Sequence, residues 1–259
     1  MSEEWGDVLD SWAPTPEHAL WRAHSDAINL ALLRRWLPEG PLGRVLKTDL
    51  FDEAVGTGLV GDLEERAEEV VGIDLAAPVV EAALAPRPGL KGLTADVRSL
   101  PFEPASFDLV ISNSTLDHFD SVEEIANALD ELARVTRPGG MLVITLDNRQ
   151  NPIVALRTSR AFAGLFRRIG LVPYQLGVTC GHRRLAHLLR SAGFEVRATE
   201  AIMHCPPQVA ARLSTRFAPN GRPGAEEHLR RVLRFEGLAR LPTRYLTSHF
   251  VAACAVRLR

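Results

Sequence analysis

The sequence predicts an α/β fold built on an open, doubly wound, mostly parallel sheet. Strand and helix signals alternate from residue 44 onward, and such alternation places helices on both faces of one sheet. The strand candidates around Val70, Leu109 and Leu142 are unbroken apolar runs, which are typical of parallel strands buried on both faces. In such sheets, ligands bind beyond the carboxyl ends of the strands, where the strand order reverses.

The individual elements follow from local signals. Residues 15–37 are predicted to be helical, because Thr15 is a suitable N-cap, Pro16 suits the first turn and apolar residues recur at helical spacing. The segment Pro38-Glu39-Gly40-Pro41 ends this helix. The further helices are predicted at 58–67, 76–84, 122–136 and 183–192. The strands are predicted at 44–52, 69–74, 91–94, 107–112, 140–146, 194–202 and 247–256.

Length and composition limit the class of protein. The chain has 259 residues, of which 46% are hydrophobic and 24% are charged, so a sizeable core is expected and disorder is excluded. The longest apolar run, near Phe250–Val256, is far shorter than the ~20 residues of a membrane span. The three cysteines are sparse and the N-terminus lacks a signal-peptide pattern, so a cytoplasmic protein without disulfides is expected.

We expect one domain over residues 1–259. A helical N-terminal cap is predicted at 1–43, a ligand-binding core at 44–148, and a basic region with the final sheet strands at 149–259.

Charge is distributed unevenly along the chain. Residues 151–259 contain 18 Arg, five Glu and neither Lys nor Asp, which gives +13, whereas residues 1–150 carry −15. The basic part can face an anionic substrate, an acidic carrier protein or lipid headgroups. The alternative is that both parts are simply solvated or neutralise each other.

The first chemical motif is a glycine-containing turn between a strand and a helix, Asp52-Glu53-Ala54-Val55-Gly56-Thr57-Gly58. Glycines allow the backbone to approach a ligand, and the helix start offers unpaired N–H groups. Asp74 ends the next strand, where a carboxylate can accept both ribose hydroxyls. This pair of features indicates adenosine recognition. Asp74 can instead serve only as a cap for the helix predicted at 76–84.

The same segment also fits a dinucleotide fingerprint. Gly56-x-Gly58-x-x-Gly61 matches the GxGxxG pattern, and Asp74 lies 18 residues beyond its first glycine. Short-chain dehydrogenase chemistry would want Tyr-xxx-Lys, but Tyr174 and Tyr245 are followed four residues later by Val and His. The glycine turn alone therefore does not decide between a dinucleotide and another ligand that contains adenosine, and motifs elsewhere in the chain must decide.

Three later motifs favour the other interpretation. Asp96 and Val97 follow the third strand, where the carboxylate can bind an adenine amino group and Val97 can pack on the ring. The run from Ser106 leads through Ser112-Asn113 to Leu116-Asp117-His118-Phe119, and Arg137-Pro138-Gly139-Gly140 precedes the strand that ends near Leu146.

With these motifs in order, the chain resembles the class I S-adenosylmethionine-dependent methyltransferases of the small-molecule type, from about Arg44 to Leu146 and more weakly beyond. The resemblance implies a Rossmann-like sheet of seven strands whose last strand is antiparallel, with helical N-terminal and late insertions as a cap. It implies S-adenosyl-L-methionine as the cofactor. The positions that it assigns to cofactor binding are Asp52, Ala54, Gly56, Thr57, Gly58, Asp74, Leu75, Asp96, Val97 and Asn113.

One departure concerns the glycine loop. The family pattern is acidic-x-Gly-x-Gly-x-Gly, and here Ala54 stands at the first glycine. The strand before it contains Lys47, Thr48 and Asp49, which are unusually polar for a central strand. The register of the loop is therefore open by a residue or two, and a cofactor-site role for Asp49 or Lys47 stays open.

Methyl transfer mainly requires alignment of the nucleophile and the methyl group, and an O–H or N–H acceptor also requires a base. His118 is the candidate base, with Asp117 as the second choice; packing at the cofactor rim is the alternative role for His118. The groups Cys180-x-His182 with His187, His204-Cys205, and Asp117-His118-x-Asp120 lack converging ligands, so no metal is expected.

We therefore expect a biosynthetic methyltransferase that modifies an O, N or C atom of a small organic acceptor, which is anionic, carrier-tethered or lipid-like. The alternatives are an NAD(P)-dependent oxidoreductase and a member that binds the cofactor without transfer. No nucleic-acid partner is expected, because the fourth strand leads into Ser112-Asn113-Ser114-Thr115 rather than an Asn/Asp-Pro-Pro-Tyr motif. Trp5, Trp12 and Trp21 are expected either near the acceptor opening or in helix packing. The basic 151–170 stretch is expected over the same opening, where it covers the core, with peripheral membrane contact as its less favoured role. The oligomeric state is left open.

Overall fold

One seven-stranded sheet organises the chain in the computed structural model, which describes residues 16–159, 177–206, 209–210 and 223–259. The strands lie in the order β3-β2-β1-β4-β5-β7-β6. The strand bounds are β1 Leu42–Lys47, β2 Ala67–Asp74, β3 Lys91–Thr94, β4 Phe107–Asn113, β5 Thr136–Asp147, β6 Phe194–Ile202 and β7 Phe250–Arg257.

The pairing directions confirm the predicted fold class. β1 pairs in parallel with β2 and β4, β2 pairs in parallel with β3, and β4 pairs in parallel with β5. Among the strands of the described residues, only the last one, β7, runs antiparallel to its neighbours, β5 and β6. The order of the parallel strands reverses between β1 and β4, so the carboxyl ends of these two strands flank the expected ligand crevice.

Helices cover both faces of the sheet. Two short 3-10 helices, Leu116–His118 and Arg234–Arg240, accompany them. The α-helices are α1 Pro16–Trp36, α2 Phe51–Val55, α3 Val60–Glu64, α4 Ala77–Leu84, α5 Val122–Val135, α6 Pro152–Arg157, α7 His182–Ser191, α8 Pro223–Leu233 and α9 Arg244–Thr247.

Two apolar cores, one on each face, hold these layers together. α5 and α7 pack on one face through residues such as Leu129 and Leu185, and α1 and α4 pack on the other through residues such as Leu32 and Val79. The start of α5 shows how the local sequence sets an element. Ser121 accepts a hydrogen bond from the N–H of Glu124, whose carboxylate accepts one from the N–H of Ser121, which is a capping box.

Several predicted bounds need correction. The strand predicted at 44–52 ends at Lys47, because α2 begins at Phe51, and the helix predicted at 58–67 is confined to Val60–Glu64. β5 begins at Thr136, four residues earlier than predicted, because Phe107 pairs with Thr136 across a bulge. Thr15, Trp5, Trp12 and most of the basic 151–170 stretch lie outside the described residues.

None of the helices in the described part of the chain is both long enough and apolar enough to cross a bilayer. The division at residues 43 and 148 stays a prediction.

Candidate functional site

The crevice between β1 and β4 collects polar side chains at the carboxyl edge of the sheet. β1 ends at Lys47, β4 ends at Asn113, and β2 ends at Asp74. These three strands are neighbours in the order β2-β1-β4. The sequence-predicted residues Asp74 and Asn113 therefore stand at the same edge, on either side of β1.

A buried ion cluster occupies the end of β1. The Lys47 ammonium donates to Glu53 Oε2 at 2.8 Å, to the backbone carbonyl of Asp49 at 2.7 Å and to Asp49 Oδ2 at 3.2 Å. The side chains of Lys47 and Glu53 have no exposed surface, and that of Asp49 is 17% exposed. Sequence reasoning left the roles of Lys47 and Asp49 open, and the structure places both at the strand end.

The cluster carries more negative than positive charge. The Asp49 and Glu53 carboxylates raise the pKa of Lys47 despite its burial, so Lys47 keeps its proton. Burial raises the pKa of Asp49, and the nearby carboxylates of Glu53 and Asp74 add to this rise. Three carboxylates thus face one ammonium, which leaves this edge of the crevice acidic.

Asp74 connects β1 to β2. Its Oδ2 accepts the N–H of Leu50 at 3.0 Å, and its Oδ1 accepts the N–H of Ala76 at 3.0 Å. Burial raises its pKa, although these N–H groups act in the opposite direction. Asp74 therefore fixes the chain that leaves β1 and also the residue that precedes α4. Each carboxylate oxygen still has a second lone pair for a ligand.

The glycine turn lies after α2, not directly after β1. Gly58 has a φ of +64°, a conformation that favours glycine, and a Cβ at this position would collide with the Glu53 carboxylate. Glu53 Oε1 accepts the N–H of Leu59 at 2.8 Å, so one buried carboxylate joins Lys47 to the far side of the turn. Gly56 and Thr57 are exposed.

Arg87, which sequence analysis missed, holds the outside of this turn. Its guanidinium donates to the backbone carbonyls of Glu53 at 2.8 Å, Gly56 at 2.9 Å and Thr57 at 2.9 Å. It follows α4, more than thirty positions from the carbonyl of Glu53, and no local pattern marks it as a partner of the turn. These contacts fix the path of the turn from the side of α4.

Helix α1 contacts the turn from the opposite side. Arg22 forms an ion pair with Asp52, and Asp26 accepts a hydrogen bond from the backbone of Gly58. Burial raises the pKa of Asp26 to about 6. The expectation that Asp52 follows the strand directly is therefore wrong: Asp52 lies in α2 and pairs with α1, and Ala54 lies two residues further along the same short helix. The acidic residue next to the end of β1 is Asp49.

Asp96 and Val97 follow β3, as predicted, but Asp96 already has a partner. Arg98 donates to Asp96 at 2.6 Å and 3.1 Å, and these bonds lower the pKa of the carboxyl. Arg98 also forms an ion pair with Glu124 and lies 4.9 Å from the centre of the Phe119 ring. Val97 is buried. An adenine amino group would therefore share Asp96 with Arg98.

Hydroxyl groups line the junction of β1 and β4. Thr48 Oγ1 lies 2.9 Å from Ser112 Oγ and 3.0 Å from Thr115 Oγ1. Asn113 is buried, and its Nδ2 has no hydrogen-bond partner among the described residues. This amide is a donor with open capacity at the end of β4.

His118 and Asp117 follow β4 in a 3-10 turn. His118 Nε2 lies 3.9 Å from Asp117 Oδ1. Asp117 Oδ2 accepts the Ser114 hydroxyl at 2.9 Å and the N–H of Asp147 at 2.7 Å, whereas Oδ1 is buried and has no hydrogen-bond partner among the described residues. Asp147 ends β5, so the turn after β4 and the end of β5 form one polar group. Sequence reasoning did not include Asp147, although a carboxylate directly after the apolar run of β5 is a usable signal.

In the described part of the chain, no three His, Cys, Asp or Glu side chains come together as a metal site. The thiols of Cys180, Cys205 and Cys254 are buried, and burial raises their pKa values. Buried thiols with raised pKa values are poor metal ligands and poor nucleophiles at neutral pH.

Several of the proteins to which this chain is similar are named as methyltransferases. Residues 51–144 match the methyltransferase domain family. Demethylmenaquinone methyltransferase of Renibacterium salmoninarum is 32% identical over 123 residues, which cover 46% of this chain and 51% of that protein. The probable tRNA methyltransferase 9B of Homo sapiens is 32% identical over 112 residues, which cover 43% of this chain and 23% of that protein.

Solved structures extend the similarity to the whole sheet. An S-adenosylmethionine-dependent methyltransferase from Mesorhizobium loti superposes with a TM-score of 0.59, covers 90% of this chain and 100% of that chain, and is 20% identical. This likeness shows a shared fold. The chain spans about half the length of the first relative and about a quarter of the second. The family match begins at residue 51, after β1 and at the start of α2.

Proposed function

We propose that this chain, whose residues 51–144 match the methyltransferase domain family, is a class I S-adenosylmethionine-dependent methyltransferase that acts on a small organic acceptor. The observation that carries the proposal is the acidic, glycine-containing crevice at the point where the strand order reverses. The cofactor supplies a methyl group on a positively charged sulfonium.

The charges of the crevice fit this cofactor. S-adenosylmethionine has a sulfonium and an α-ammonium, and both are cations. Asp49, Glu53 and Asp74 together outweigh the single charge of Lys47, so the crevice favours a cationic ligand over one that carries a pyrophosphate.

Different residues around the crevice would bind different parts of S-adenosylmethionine. Gly56, Thr57 and Gly58 would lie against the methionine part, with Asp52 and Ala54 supporting the turn from α2. Asp74 and Leu75 would hold the ribose, and Asp96 with Val97 would hold the adenine. Asn113 offers its unpaired buried amide next to the reacting centre.

The dinucleotide alternative loses support in the structure. In that fingerprint the first glycine makes the tight turn after the strand, and the third allows close packing of helix on strand. Here α2 separates β1 from Gly56, and a Cβ at Gly61 would meet nothing within 4 Å. This turn therefore satisfies neither the first nor the third requirement of the fingerprint.

The acceptor lies beyond the end of β4, where His118 is the candidate base and Asp117 is its neighbour. An anionic, carrier-tethered or lipid-like acceptor fits the excess of arginine in residues 151–259. The relative from Renibacterium salmoninarum is named for a quinone acceptor, which supports the lipid-like member of this set. The human relative is named for tRNA, so RNA belongs among the molecules to be tested.

Calorimetric titration tests the cofactor. The full chain is titrated with S-adenosylhomocysteine and separately with NADH, together with Asp74→Ala and Asp62→Ala. Asp62 forms an exposed ion pair with Arg34 and serves as the matched control. We expect micromolar binding of S-adenosylhomocysteine that Asp74→Ala abolishes and Asp62→Ala preserves. Binding of NADH alone, or of neither ligand, contradicts the proposal.

Transfer is tested with S-adenosylmethionine that carries a labelled methyl group. The acceptors are a demethylated quinol in detergent, a carboxylate on an acyl carrier, free hydroxy acids and amines, and bulk tRNA. We expect label in one of the small or carrier-bound acceptors. Label in tRNA alone would overturn the small-molecule assignment, and binding without any transfer would favour a member that binds the cofactor without catalysis.

A further inference from the structure

A second polar group lies behind Asp117, at the ends of β5 and β7. The side chain of Asp147, at the end of β5, is 11% exposed, and its Oδ1 lies 3.4 Å from His249 Nε2. His249 directly precedes β7, the strand that pairs with β5. The backbone N–H of Asp147 donates to Asp117 Oδ2 at 2.7 Å. His249 therefore contacts the side chain of Asp147, and the backbone of Asp147 in turn holds Asp117 in the turn after β4.

Asp117 is held on one side only. Its Oδ2 accepts from both the Asp147 N–H and the Ser114 hydroxyl. Its Oδ1 is buried without a hydrogen-bond partner among the described residues, and the Asp117 side chain is only 3% exposed. A buried acceptor atom without a donor is costly unless a ligand or water supplies the donor. The geometry thus leaves one carboxylate oxygen ready to receive a proton donor.

We propose that Asp117 Oδ1 is the atom that takes the proton from an O–H or N–H acceptor, and that Asp147 and His249 are positioning residues that hold Asp117 in place. The proposal rests on the proposed function and deepens it, because it names the acceptor class as molecules whose reacting atom carries a removable proton. Asp117 thereby replaces His118 as the base, and His118 is assigned to the rim of the site, next to the atom that receives the proton.

In the transfer step, the proton moves from the oxygen or nitrogen of the acceptor to Asp117 Oδ1. An electron pair of the acceptor oxygen or nitrogen forms the new bond to the methyl carbon. The pair of the breaking carbon–sulfur bond stays on sulfur, which becomes a neutral thioether. Asp117 then releases its proton to solvent before the next turnover.

The protonation states support this arrangement. Burial, with a smaller contribution from the charge of Asp117, raises the pKa of Asp147 to about 8. Burial lowers the pKa of His249 to about 3. At neutral pH, Asp147 is therefore a neutral acid beside a neutral imidazole, although their spacing is that of an ion pair. Because Asp147 is neutral, Asp117 has no second buried negative charge beside it.

Charged groups reach this cluster from each element around it. Arg157, at the end of α6, lowers the pKa of both Asp147 and His249 through its positive charge. Asp117 faces Asp147 from the turn after β4. Cys180 precedes α7. Burial raises the pKa of its thiol to about 12, and the negative charge of Asp117 contributes to this rise. His118 Nε2 lies 3.9 Å from Asp117 Oδ1.

Nuclear magnetic resonance tests the cluster without an acceptor. The full chain is labelled with 13C at aspartate carboxyls and 15N at histidine rings, saturated with S-adenosylhomocysteine, and titrated with pH. We expect one carboxyl with a midpoint near 8. Asp117→Asn should lower that midpoint, because a like charge is removed, and Arg157→Gln should raise it. A wild-type Asp147 that titrates in the ordinary range of about 3–4, or that is unmoved by Asp117→Asn, overturns the proposal.

Kinetics test the catalytic part once an acceptor is found. We expect Asp117→Asn to lower kcat about 10²–10⁴-fold, the usual contribution of a general base, with an unchanged Kd for S-adenosylhomocysteine. His249→Gln and Asp147→Asn should lower kcat by a smaller factor and shift its pH profile, whereas Asp62→Asn should do neither. Full activity in Asp117→Asn contradicts the proposal even if the wild type binds the cofactor and transfers methyl groups. Failure of the wild type to bind the cofactor is a failure of the proposed function instead.

Discussion

The ammonium of Lys47 lies 2.8 Å from a carboxylate oxygen of Glu53, and neither side chain has any exposed surface. The other oxygen of Glu53 accepts the N–H of Leu59. This single carboxylate therefore connects the end of β1 to the residue that follows Gly58. The wall of the ligand crevice therefore depends on a buried charge pair as well as on the backbone of the glycine turn.

Removal of Lys47 should destabilise the fold strongly. Lys47→Met leaves the Glu53 and Asp49 carboxylates buried without their cation, and breaking a buried pair in this way costs about 3–5 kcal/mol. The matched control is Lys91→Met, which removes the only other lysine; its pair with Glu69 is exposed and should contribute at most about 1 kcal/mol. Urea denaturation measures both. Equal free energies of unfolding for the two variants would contradict the role of the buried pair.

The glycine at position 58 should be irreplaceable. Gly58→Ala places a side chain at a φ of +64°, which costs about 1–2 kcal/mol for a non-glycine residue, and it also forces the Glu53 carboxylate to move. We expect lower stability and at least tenfold weaker binding of S-adenosylhomocysteine, the factor that about 1.4 kcal/mol represents. Gly61→Ala, where a Cβ meets nothing within 4 Å, is the control. Calorimetry that finds equal affinities for both variants would refute the prediction.

Arg87 should matter for ligand binding more than its position suggests. Arg87→Met removes three hydrogen bonds to the carbonyls of the glycine turn, so the turn should loosen and the affinity for S-adenosylhomocysteine should fall several-fold. Arg66→Met is a fair comparison, because Arg66 also donates to backbone carbonyls, those of Pro38 and Gly40, but away from the crevice. We expect that variant to bind the ligand normally. A shared loss of affinity would point to a general effect of arginine removal.

Stability should fall in acid because of His249. Its pKa in the folded chain is about 3, well below the ordinary 6.5, so the unfolded chain binds more protons between these pH values and stability falls as pH falls through this window. His24, with a pKa lowered to about 4 by burial, acts in the same direction. His249→Gln should therefore lose less stability than the wild type between pH 7 and pH 4 in thermal melts. Parallel losses in the two proteins would contradict this assignment.

Asp147 should act in the opposite direction. Its folded pKa lies above the value of an unfolded aspartate, so the folded chain binds more protons and stability falls as pH rises from about 4 to about 8. Asp147→Asn removes this contribution, and we expect its melting temperature, relative to the wild type, to rise with pH across that window. A difference that is constant with pH would show that Asp147 does not titrate there.

The strands and major helices were predictable because each carries its own signal. The apolar run that ends at Asp74 marks β2, and Ser121 with Glu124 marks the start of α5. The resemblance placed Asp74, Asp96 and Asn113 at the carboxyl edge, and the structure puts them there. These positions depend on the ends of β2, β3 and β4, which the sequence pattern places to within one residue.

The interior of the glycine loop was not predictable from short-range patterns. The position of Asp52 before the glycines predicts that it ends a strand. In the structure it pairs with Arg22, which lies thirty residues upstream, and no short-range pattern indicates that pair. Arg87 and His249 are set by contacts that cross from one element to another, and no spacing in the sequence records such contacts. The polar residues Lys47 and Asp49 were the local sign that the strand end departs from the usual pattern.

The scarcity of lysine has a practical consequence for labelling. Of the two lysine side chains, Lys47 is sealed inside the ion cluster and Lys91 is 70% exposed at the edge strand β3. Amine-directed reagents should therefore modify one lysine in the native chain and a second only after unfolding. A dye on Lys91 then labels one lysine side chain of the folded protein. The rate at which Lys47 becomes modified measures how often the crevice opens.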